Sequence, residues 1–355
     1  MGGAVTNEPV ADDHPAFRAA APVRLDFAGG WTDVPPFSAR EGGVVITAGV
    51  RLFAQAEVHV GGRGFRLVSE DLDDKLEVAD STGLVNDGRL ILHKAALRML
   101  PVGACTLITR SDAPPGSGLG TSGALDVALV AALSAARGES PNPVDIAERA
   151  CHLEAVEAGI PGGRQDQFAS SYGGFLRLDF KDPEAEVQRL PVDADFAEEL
   201  GRRTILCYTT ASRFSGATID RVMHAYEQGD SKVARALHGI RAVAESMANA
   251  LVAADTAQIG RLMSENWMHQ LALDPQMRTE KMAQLEECVL AAGALGGKAA
   301  GSGAGGCMFF LAPDEPGGVI EAAQQCGVTI LPVRWAMYGV RQCGLPRSWT
   351  FVGRT

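Results

Sequence analysis

The sequence predicts a mixed α and β fold in two domains, and three features of the chain indicate it. The 355 residues suit one large domain or two ordinary ones. The first half is rich in short alternating segments, which predict antiparallel strands. Across 216–294, apolar residues instead recur every three or four positions, which predicts helices. The charged, irregular stretch Lys181–Ala197 lies between the two patterns, so we expect the domain boundary there.

The first predicted domain covers 21–195 and follows residues 1–20, which are rich in Ala, Asp and Pro and are expected to be a flexible lead-in. Alternating apolar positions, with a Gly-rich hairpin signal at 61–64, predict strands. These strands are expected at Ala21–Phe27, Gly43–Val50, Phe53–Val60, Phe65–Ser69, Cys105–Arg110 and Gly174–Phe180. Helical spacing predicts helices at Leu90–Leu100 and Pro143–Ala158.

The second predicted domain covers 196–355 and opens with a strand at Thr204–Thr210. About three helices should follow, because an apolar stripe such as Leu237, Ile240 and Val243 is typical of a buried helix face. A Gly-rich stretch at 296–306 then leads to the last predicted elements. These are a strand at Cys307–Leu311, a short helix near 318–326 and strands near 328–340.

Composition and charge narrow the class of protein. Apolar residues make up 46% of the chain and charged residues 21%, as in globular enzymes and binding proteins. The net charge of −11 argues against nucleic acid and anionic membranes as partners. The first 20 residues lack the pattern of a signal peptide, and no stretch is long and apolar enough to span a membrane. Without a Cys-x-x-Cys pair or an HExxH motif, we expect cytoplasmic free thiols and no structural metal.

The stretch 111–133 is a predicted strand–loop–helix unit whose loop is suited to phosphate. Its glycines permit positive φ and close approach of backbone amides, and the helix that follows favours an anion at its N-terminus. A plain Gly-rich turn is the alternative. The residues predicted to hold the nucleotide phosphates are Pro115, Gly116, Ser117, Gly118, Leu119, Gly120, Thr121 and Ser122.

Two other Gly-rich patterns do not carry nucleotide-binding motifs. The stretch 293–299 resembles a Walker A loop, but it has Ala299 where Ser or Thr should hold Mg²⁺. Gly301, Gly303 and Gly306 match G-x-G-x-x-G, but a strand follows them where a dinucleotide-binding motif requires a helix. Neither pattern therefore predicts a site on its own.

Several motifs in order resemble the GHMP kinases, the superfamily of galactokinases, homoserine kinases, mevalonate kinases and phosphomevalonate kinases. They are the Gly-rich segments 28–36, 114–123 and 296–306 and the acidic loop GGRQDQ at 162–167. The resemblance is strongest to heptose 7-phosphate kinases. L-fucokinases come next, because the stretch GGWTDVPP follows their pattern. It implies a two-domain α+β fold, with a ribosomal-S5-like N-terminal domain and a ferredoxin-like C-terminal domain. The sequence departs at Gly123, where members often have Ser or Ala.

The resemblance also implies catalytic and metal-binding roles. Asp166 matches the aspartate that faces the acceptor, where a carboxylate can take the hydroxyl proton. Arg24 matches the basic residue that pairs with it. Ser122 and Glu154 match the Mg²⁺ ligands, with Glu157 as the competing carboxylate.

The acceptor side is less narrowly defined. Asp33 matches a position that binds sugar hydroxyls, whereas Trp31 is equally suited to stacking on a sugar and to the core. Arg164 and Arg213 suit an anionic acceptor, although a surface role is the alternative for both. The remaining residues predicted on this side are Thr32, Gln165 and Gly303.

The function implied is an ATP- and Mg²⁺-dependent kinase of a sugar or sugar phosphate, acting at the anomeric hydroxyl. A heptose 7-phosphate kinase is the first hypothesis. A fucokinase-like enzyme that phosphorylates a free sugar is the alternative, and a catalytically inactive sugar sensor is the rival from another class. Small-molecule substrates are the only partners expected, and the sequence does not indicate an oligomeric state.

Overall fold

The computed structural model describes residues 16–210 and 216–344, and its backbone forms two sheets with helices packed against them. The strands are β1 Ala16–Ala28, β2 Gly43–Val60, β3 Phe65–Ser69, β4 Asp74–Val78, β5 Cys105–Ser111, β6 Phe175–Lys181, β7 Glu184–Arg189, β8 Thr204–Thr210, β9 Gly296–Ala299, β10 Gly306–Leu311, β11 Thr329–Leu331 and β12 Arg341–Gly344. The α-helices are α1 Phe37–Glu41, α2 Ile91–Met99, α3 Thr121–Ala136, α4 Pro143–His152, α5 Gln165–Tyr172, α6 Ala194–Arg203, α7 Gly216–Glu227, α8 Ser231–Val252, α9 Thr256–Leu273, α10 Glu280–Ala291 and α11 Gly317–Gln325. Short 3₁₀ turns lie at Ser81–Gly83 and Pro275–Met277, and a π-helical segment at Leu153–Glu157 continues α4.

The first sheet has the order β12-β1-β2-β5-β3-β4, and the pair β6-β7 joins it through β2. The strand β2 is long enough to pair with β6 through Gly43–Ala48 and with β5 through Ala54–Val60. Its pairing with β1 shifts register between Asp26 and Ala28. Such an irregularity re-aims the side chains beside it, and this one lies at the start of the 28–36 loop.

The helix α3 lies across the sheet and is buried almost all round. Its residues from Val127 to Leu133 have no exposed surface, which fits its predicted place in a core. It packs on β1 and β2, with α4 and α5 beside it. The side chains of these elements form the large apolar core of the molecule.

The second sheet is antiparallel, in the order β11-β8-β10-β9. The helices α7 to α11 supply the other side of a second core, which contains Leu237, Ile240 and Trp267. Within the described residues, no helix is both long and apolar enough to cross a membrane.

The predicted mixed α and β fold is confirmed, and two local predictions were wrong. The first strand begins at Ala16 rather than Ala21, so that residues 16–20 belong to β1 and not to a flexible lead-in. The stretch Lys181–Ala197 is not irregular, because it contains β7 and the start of α6. The Gly-rich stretch 296–306, for which no element was predicted, begins with a buried strand, since β9 pairs with β10 through backbone groups that need no side chain.

The domain division at 195 stays a prediction. One strand pairing joins the two parts of the chain, because β12 from the C-terminal end lies antiparallel to β1 along Phe17–Ala20. Residues 1–15, 211–215 and 345–355 lie outside the described residues. They contain most of the predicted lead-in, the predicted site residue Arg213 and the end of the predicted second domain.

Candidate active site

An ion pair between Arg24 and Asp166 lies where the two halves of the chain meet. Arg24 comes from β1, and its Nε atom is 2.8 Å from Oδ1 of Asp166 in the first turn of α5. The same guanidinium donates to the carbonyls of Gly118 at 2.8 Å and Ala300 at 2.7 Å. The arginine side chain is 5% exposed and the aspartate side chain 23%. A buried arginine with three hydrogen bonds therefore orients a carboxylate that is partly open to solvent.

The predicted phosphate loop has the backbone that an anion site requires. Gly116, Gly118 and Gly120 have φ values of 65°, 74° and 74°, in the left-handed region that favours glycine. Gly120 is the N-cap of α3, and no side chain caps that helix N-terminus. The first amides of α3 are therefore free to bind an anion. Ser122 is exposed at this end.

The third Gly-rich segment packs directly on the phosphate loop. The amide of Cys307 donates to the carbonyl of Ser117 at 2.7 Å. A Cβ atom on Gly301 would lie 2.6 Å from the carbonyl oxygen of Gly118, too close for any side chain. The predicted acceptor residue Gly303 has φ of +84° and packs against Met277. This segment therefore acts in the structure as a close support for the loop.

Glu154 and Ser122 lie together, beside Asp166. Burial and the charge of Asp166 raise the pKa of Glu154 to about 7. Hydrogen bonds from Ser122 and Gln167 lower this pKa and partly oppose the shift. The side-chain amide Nε2 of Gln167 donates to Oε2 of Glu154 at 2.6 Å. Glu157, by contrast, lies 3.7 Å from Arg98 and 3.8 Å from His152, its ion-pair partners. The π-helical segment gives the two glutamates these different directions.

A third carboxyl, Asp126, lies one helical turn after Ser122 and was missed by the sequence analysis. It is fully buried, and neither of its oxygens has a hydrogen-bond partner in the part of the chain that the structure describes. Burial, then the charges of Glu154 and Asp166, raise its pKa well above the ordinary value. Its only sequence signal was an acid inside an otherwise apolar helix.

The loop 28–36 carries residues that are buried rather than open. Trp31 packs in the second core, as one of its two alternatives expects, and its contact with a sugar stays a prediction. Thr32 donates to the carbonyl of Gly29 at 2.7 Å. Asp33 accepts from the backbone and side-chain amides of Gln165 at 3.0 and 3.3 Å. Burial, opposed by the hydrogen bond from the Gln165 backbone, raises the pKa of Asp33 to about 6.

The two arginines predicted for an anionic acceptor have different outcomes. Arg164 donates to Asp182 at 2.9 Å and to the carbonyl of Pro183 at 2.8 Å, and its guanidinium lies over Phe168. This guanidinium is therefore engaged away from the Arg24–Asp166 pair. Arg213 lies outside the described residues.

A second buried ion pair, between Lys298 and Asp26, was also missed. Lys298 is in the 293–299 stretch that resembles a Walker A loop, but its ammonium donates to the Asp26 carbonyl at 2.6 Å and to Oδ2 at 3.0 Å. Burial lowers the pKa of the Lys298 ammonium, and the charge of Asp26 opposes this shift. Nothing in the local sequence indicates a partner in β1.

The oxygen donors at this site fit a divalent cation only if a bound ligand supplies part of the coordination shell of the cation. Within 16–210 and 216–344, no three His, Cys, Asp or Glu side chains are placed to hold a metal by themselves. Ser122 and Glu154 nevertheless offer hard oxygen donors, in a corner where the Glu154, Asp126 and Asp166 carboxyls are close enough to interact. A cation there would offset their mutual repulsion.

The comparisons with known families cover both halves of the chain. Residues 89–174 match the N-terminal domain of the GHMP kinases. Residues 247–329 match the C-terminal domain of the same kinases.

Curated relatives and solved structures agree with these matches. The chain is 29% identical over 318 residues to the D-glycero-alpha-D-manno-heptose 7-phosphate kinase of Campylobacter jejuni, covering 87% of this chain and 93% of that one. It is 27% identical to the bifunctional fucokinase/GDP-fucose pyrophosphorylase of Arabidopsis thaliana, over 82% of this chain but 29% of that longer protein. A heptose 1-phosphate kinase from Bacteroides thetaiotaomicron shares the fold, with a TM-score of 0.76 at 23% identity over 93% of this chain and 99% of that one. A putative sugar kinase from Campylobacter jejuni has a TM-score of 0.73 at 26% identity, over 94% and 100% of the two chains.

Proposed function

We propose a reaction for this chain on the premise that it belongs to the GHMP kinases and is therefore a phosphotransferase with a hydroxyl acceptor. The reaction is transfer of the γ-phosphate of ATP to a hydroxyl of a sugar or sugar phosphate. The observation that carries the proposal is the Arg24–Asp166 pair at 2.8 Å, which adjoins the phosphate loop through the contact of Arg24 with Gly118. A base, its orienting cation and an anion site thus lie together.

In this mechanism Asp166 accepts the proton of the acceptor hydroxyl. The hydroxyl oxygen forms a bond to the γ-phosphorus, while the bond from phosphorus to the bridging oxygen breaks and leaves ADP. Arg24 keeps the carboxylate in position, because its guanidinium is itself fixed by two carbonyls. The amides of the phosphate loop and of the first turn of α3 bind the phosphate oxygens.

Ser122 and Glu154 are the residues that would hold Mg²⁺. When bound, the ion supplies charge neutralisation of the phosphates. Glu154 is favoured over Glu157 because its carboxyl adjoins Asp166 and Ser122, whereas Glu157 has Arg98 and His152 as partners. Gln167 keeps Glu154 in place with its 2.6 Å hydrogen bond.

The first acceptor we propose is a heptose 7-phosphate, as in the Campylobacter jejuni relative. A free sugar, as for a fucokinase, remains the second candidate because of one specific observation. Arg164, one of the two arginines suited to a distal phosphate, is engaged by Asp182. Phosphate recognition by an arginine would then depend on Arg213.

A panel of acceptors followed by ³¹P NMR tests the proposal. The purified enzyme with ATP and Mg²⁺ should convert D-glycero-D-manno-heptose 7-phosphate to a product with a second, anomeric phosphate signal. Its kcat/KM should exceed those for the unphosphorylated heptose and for L-fucose. Higher kcat/KM for a free sugar would favour the second candidate, and no transfer to any sugar would contradict the proposed function.

A further inference from the structure

We propose that Lys298 is a positioning residue for the acceptor side of the site and acts through Asp26 on the loop 28–33. The inference rests on the proposed function, because it concerns how this kinase binds its acceptor. Lys298 is not a catalytic residue in this account, since its ammonium is covered by protein on every side.

The contact between Lys298 and Asp26 is direct and doubly bonded. The ammonium donates to the Asp26 backbone carbonyl at 2.6 Å and to its Oδ2 at 3.0 Å. The two side chains are 0% and 5% exposed. A lysine bonded to both the backbone and the side chain of one residue fixes the position of that residue, and here the residue lies at the register shift that ends regular β1 pairing.

The free side of the Asp26 carboxylate faces the loop. Its Oδ1 accepts from the amide of Gly30 at 3.4 Å. A Cβ atom on Gly30 would lie 2.3 Å from Oδ2 of Asp26 and 3.0 Å from Nε2 of Gln165. The Gln165 side chain in turn donates to Asp33 at 3.3 Å. Lys298, Asp26, Gly30, Gln165 and Asp33 therefore form one continuous line of contacts.

A second side chain from the C-terminal part of the chain holds the same loop. Oδ1 of Asn266, in α9, accepts from the amide of Gly29 at 3.0 Å. Asn266 is as deeply buried as Lys298. β9 and α9 therefore each supply a buried side chain that holds this loop, in addition to its contacts with β2 through Thr32 and with α5 through Asp33.

This line ends where the acceptor is proposed to bind and not at the phosphate loop. Gln165 precedes Asp166, and Asp33 is the position predicted for sugar hydroxyls. Loss of the Lys298 contact should therefore weaken acceptor binding while the ATP side keeps its own supports, Arg24 and Cys307. A purely structural role would instead change stability alone.

The test uses a paired substitution, because a single change leaves a charge buried. Lys298→Met should lower Tm, since Asp26 then has no ionic partner. Lys298→Met combined with Asp26→Asn removes both charges and should restore most of the lost Tm. In this double variant the acceptor KM, measured with D-glycero-D-manno-heptose 7-phosphate, should stay raised by about tenfold or more, the effect of one charged hydrogen bond. The KM for ATP should stay within about twofold of wild type.

A matched control is Lys94→Met. Lys94 is also completely buried and pairs with Asp87, but this pair belongs to α2 and the segment before it. The variant should lower Tm and leave the acceptor KM unchanged. A raised acceptor KM in this control would show that any buried lysine has the effect, and would overturn the assignment of Lys298.

Hydrogen exchange keeps this inference separate from the proposed function. In the double variant, the amides of 28–34 should exchange about tenfold faster than in wild type, while those of 114–123 keep their protection. If the double variant regains the wild-type acceptor KM and the wild-type protection of 28–34 along with its Tm, the positioning role is overturned. Absence of phosphoryl transfer in the wild type would contradict the proposed function, whereas the exchange comparison would still decide whether Lys298 positions the loop.

Discussion

Arg24 holds Asp166 by a 2.8 Å ion pair from its Nε atom, while its Nη1 atom donates to the carbonyls of both Gly118 and Ala300. One guanidinium thus links the carboxylate in α5, the phosphate loop and the third Gly-rich segment. An arginine can do this because its planar, permanently charged group carries five donors in fixed directions. The position of the Asp166 carboxylate is therefore tied to the contact between these two Gly-rich segments.

Arg24→Lys should lower kcat although it preserves the charge. An ammonium cannot reproduce the fixed fork that bonds Asp166, Gly118 and Ala300 together, and a charged hydrogen bond contributes about 1.5–3 kcal/mol. We expect kcat to fall by roughly 10- to 100-fold. Arg18→Lys is the control, since this arginine is on the same strand but pairs with Glu57. Equal kcat values for Arg24→Lys and wild type would show that charge alone suffices.

Ser122→Ala and Glu154→Gln should each raise the Mg²⁺ concentration for half-maximal rate, by about tenfold, the effect of losing one strong oxygen contact. Glu157→Gln is the matched control and should leave it unchanged, because Glu157 is directed at Arg98 and His152. The measurement is a Mg²⁺ titration of the initial rate at fixed, saturating ATP. The opposite order of the two glutamate variants would transfer the metal ligand to Glu157.

Gly123→Ala should lower kcat strongly while lowering the free energy of unfolding only modestly. A Cβ atom there would lie 2.5 Å from Cβ of Asp166, so that α5 must shift away from α3. Overpacking costs about 1–3 kcal/mol, but alanine regains about 1 kcal/mol of helix propensity, so we expect only a modest loss of stability. A shift of the base of about 1 Å can lower kcat by about 10²-fold.

The control for this prediction is Gly317→Ala, where an added Cβ meets nothing within 4 Å. It should leave both kcat and Tm near wild-type values. A Gly123→Ala enzyme with wild-type kcat would show that Asp166 tolerates displacement.

Asp33→Asn should change how stability depends on pH. The pKa of Asp33 is raised from 3.8 to about 6 by burial, so the folded protein holds this proton more tightly than the unfolded chain does. Its contribution to the free energy of unfolding therefore falls as pH rises from about 4 to about 6, by about 3 kcal/mol in all. Asparagine cannot ionise, so the variant should gain stability relative to wild type at pH 7.5 compared with pH 4.

Urea unfolding at the two pH values measures this difference. Asp74→Asn is the control of opposite sign, because a hydrogen bond from Arg89 lowers the pKa of Asp74. A difference between Asp33→Asn and wild type that does not change with pH would show that the pKa of Asp33 is not raised in the folded protein.

Local signals predicted the parts of the site that are continuous in the chain. The strand–loop–helix at 105–136 was predictable, because its glycines, its helix start and its apolar helix all lie within one segment. Asp166 and Glu154 were predictable from their motif. The π-helical segment that directs Glu154 and Glu157 differently gave no periodic signal, since the two residues lie within one short stretch of helical spacing.

Long-range partners were not predictable in the same way. Lys298 and Asp26 are 272 positions apart, and Gly29 and Asn266 are 237 apart, so no local period relates them. The strand β9 was not predicted because glycine is rare in strands, although its backbone pairs with β10. The burial of Asp33 and Trp31 depends in the same way on elements distant in sequence.

The central claim is that Asp166 is the base that Arg24 orients, and Asp166→Asn in single-turnover phosphoryl transfer tests it most directly. Asparagine keeps the shape of the side chain and a hydrogen-bond acceptor for Arg24 but cannot accept the acceptor's proton. We predict a rate about 10²–10⁴-fold below wild type, with the dissociation constant for ATP unchanged. Phosphoryl transfer by Asp166→Asn at the wild-type rate would contradict the claim.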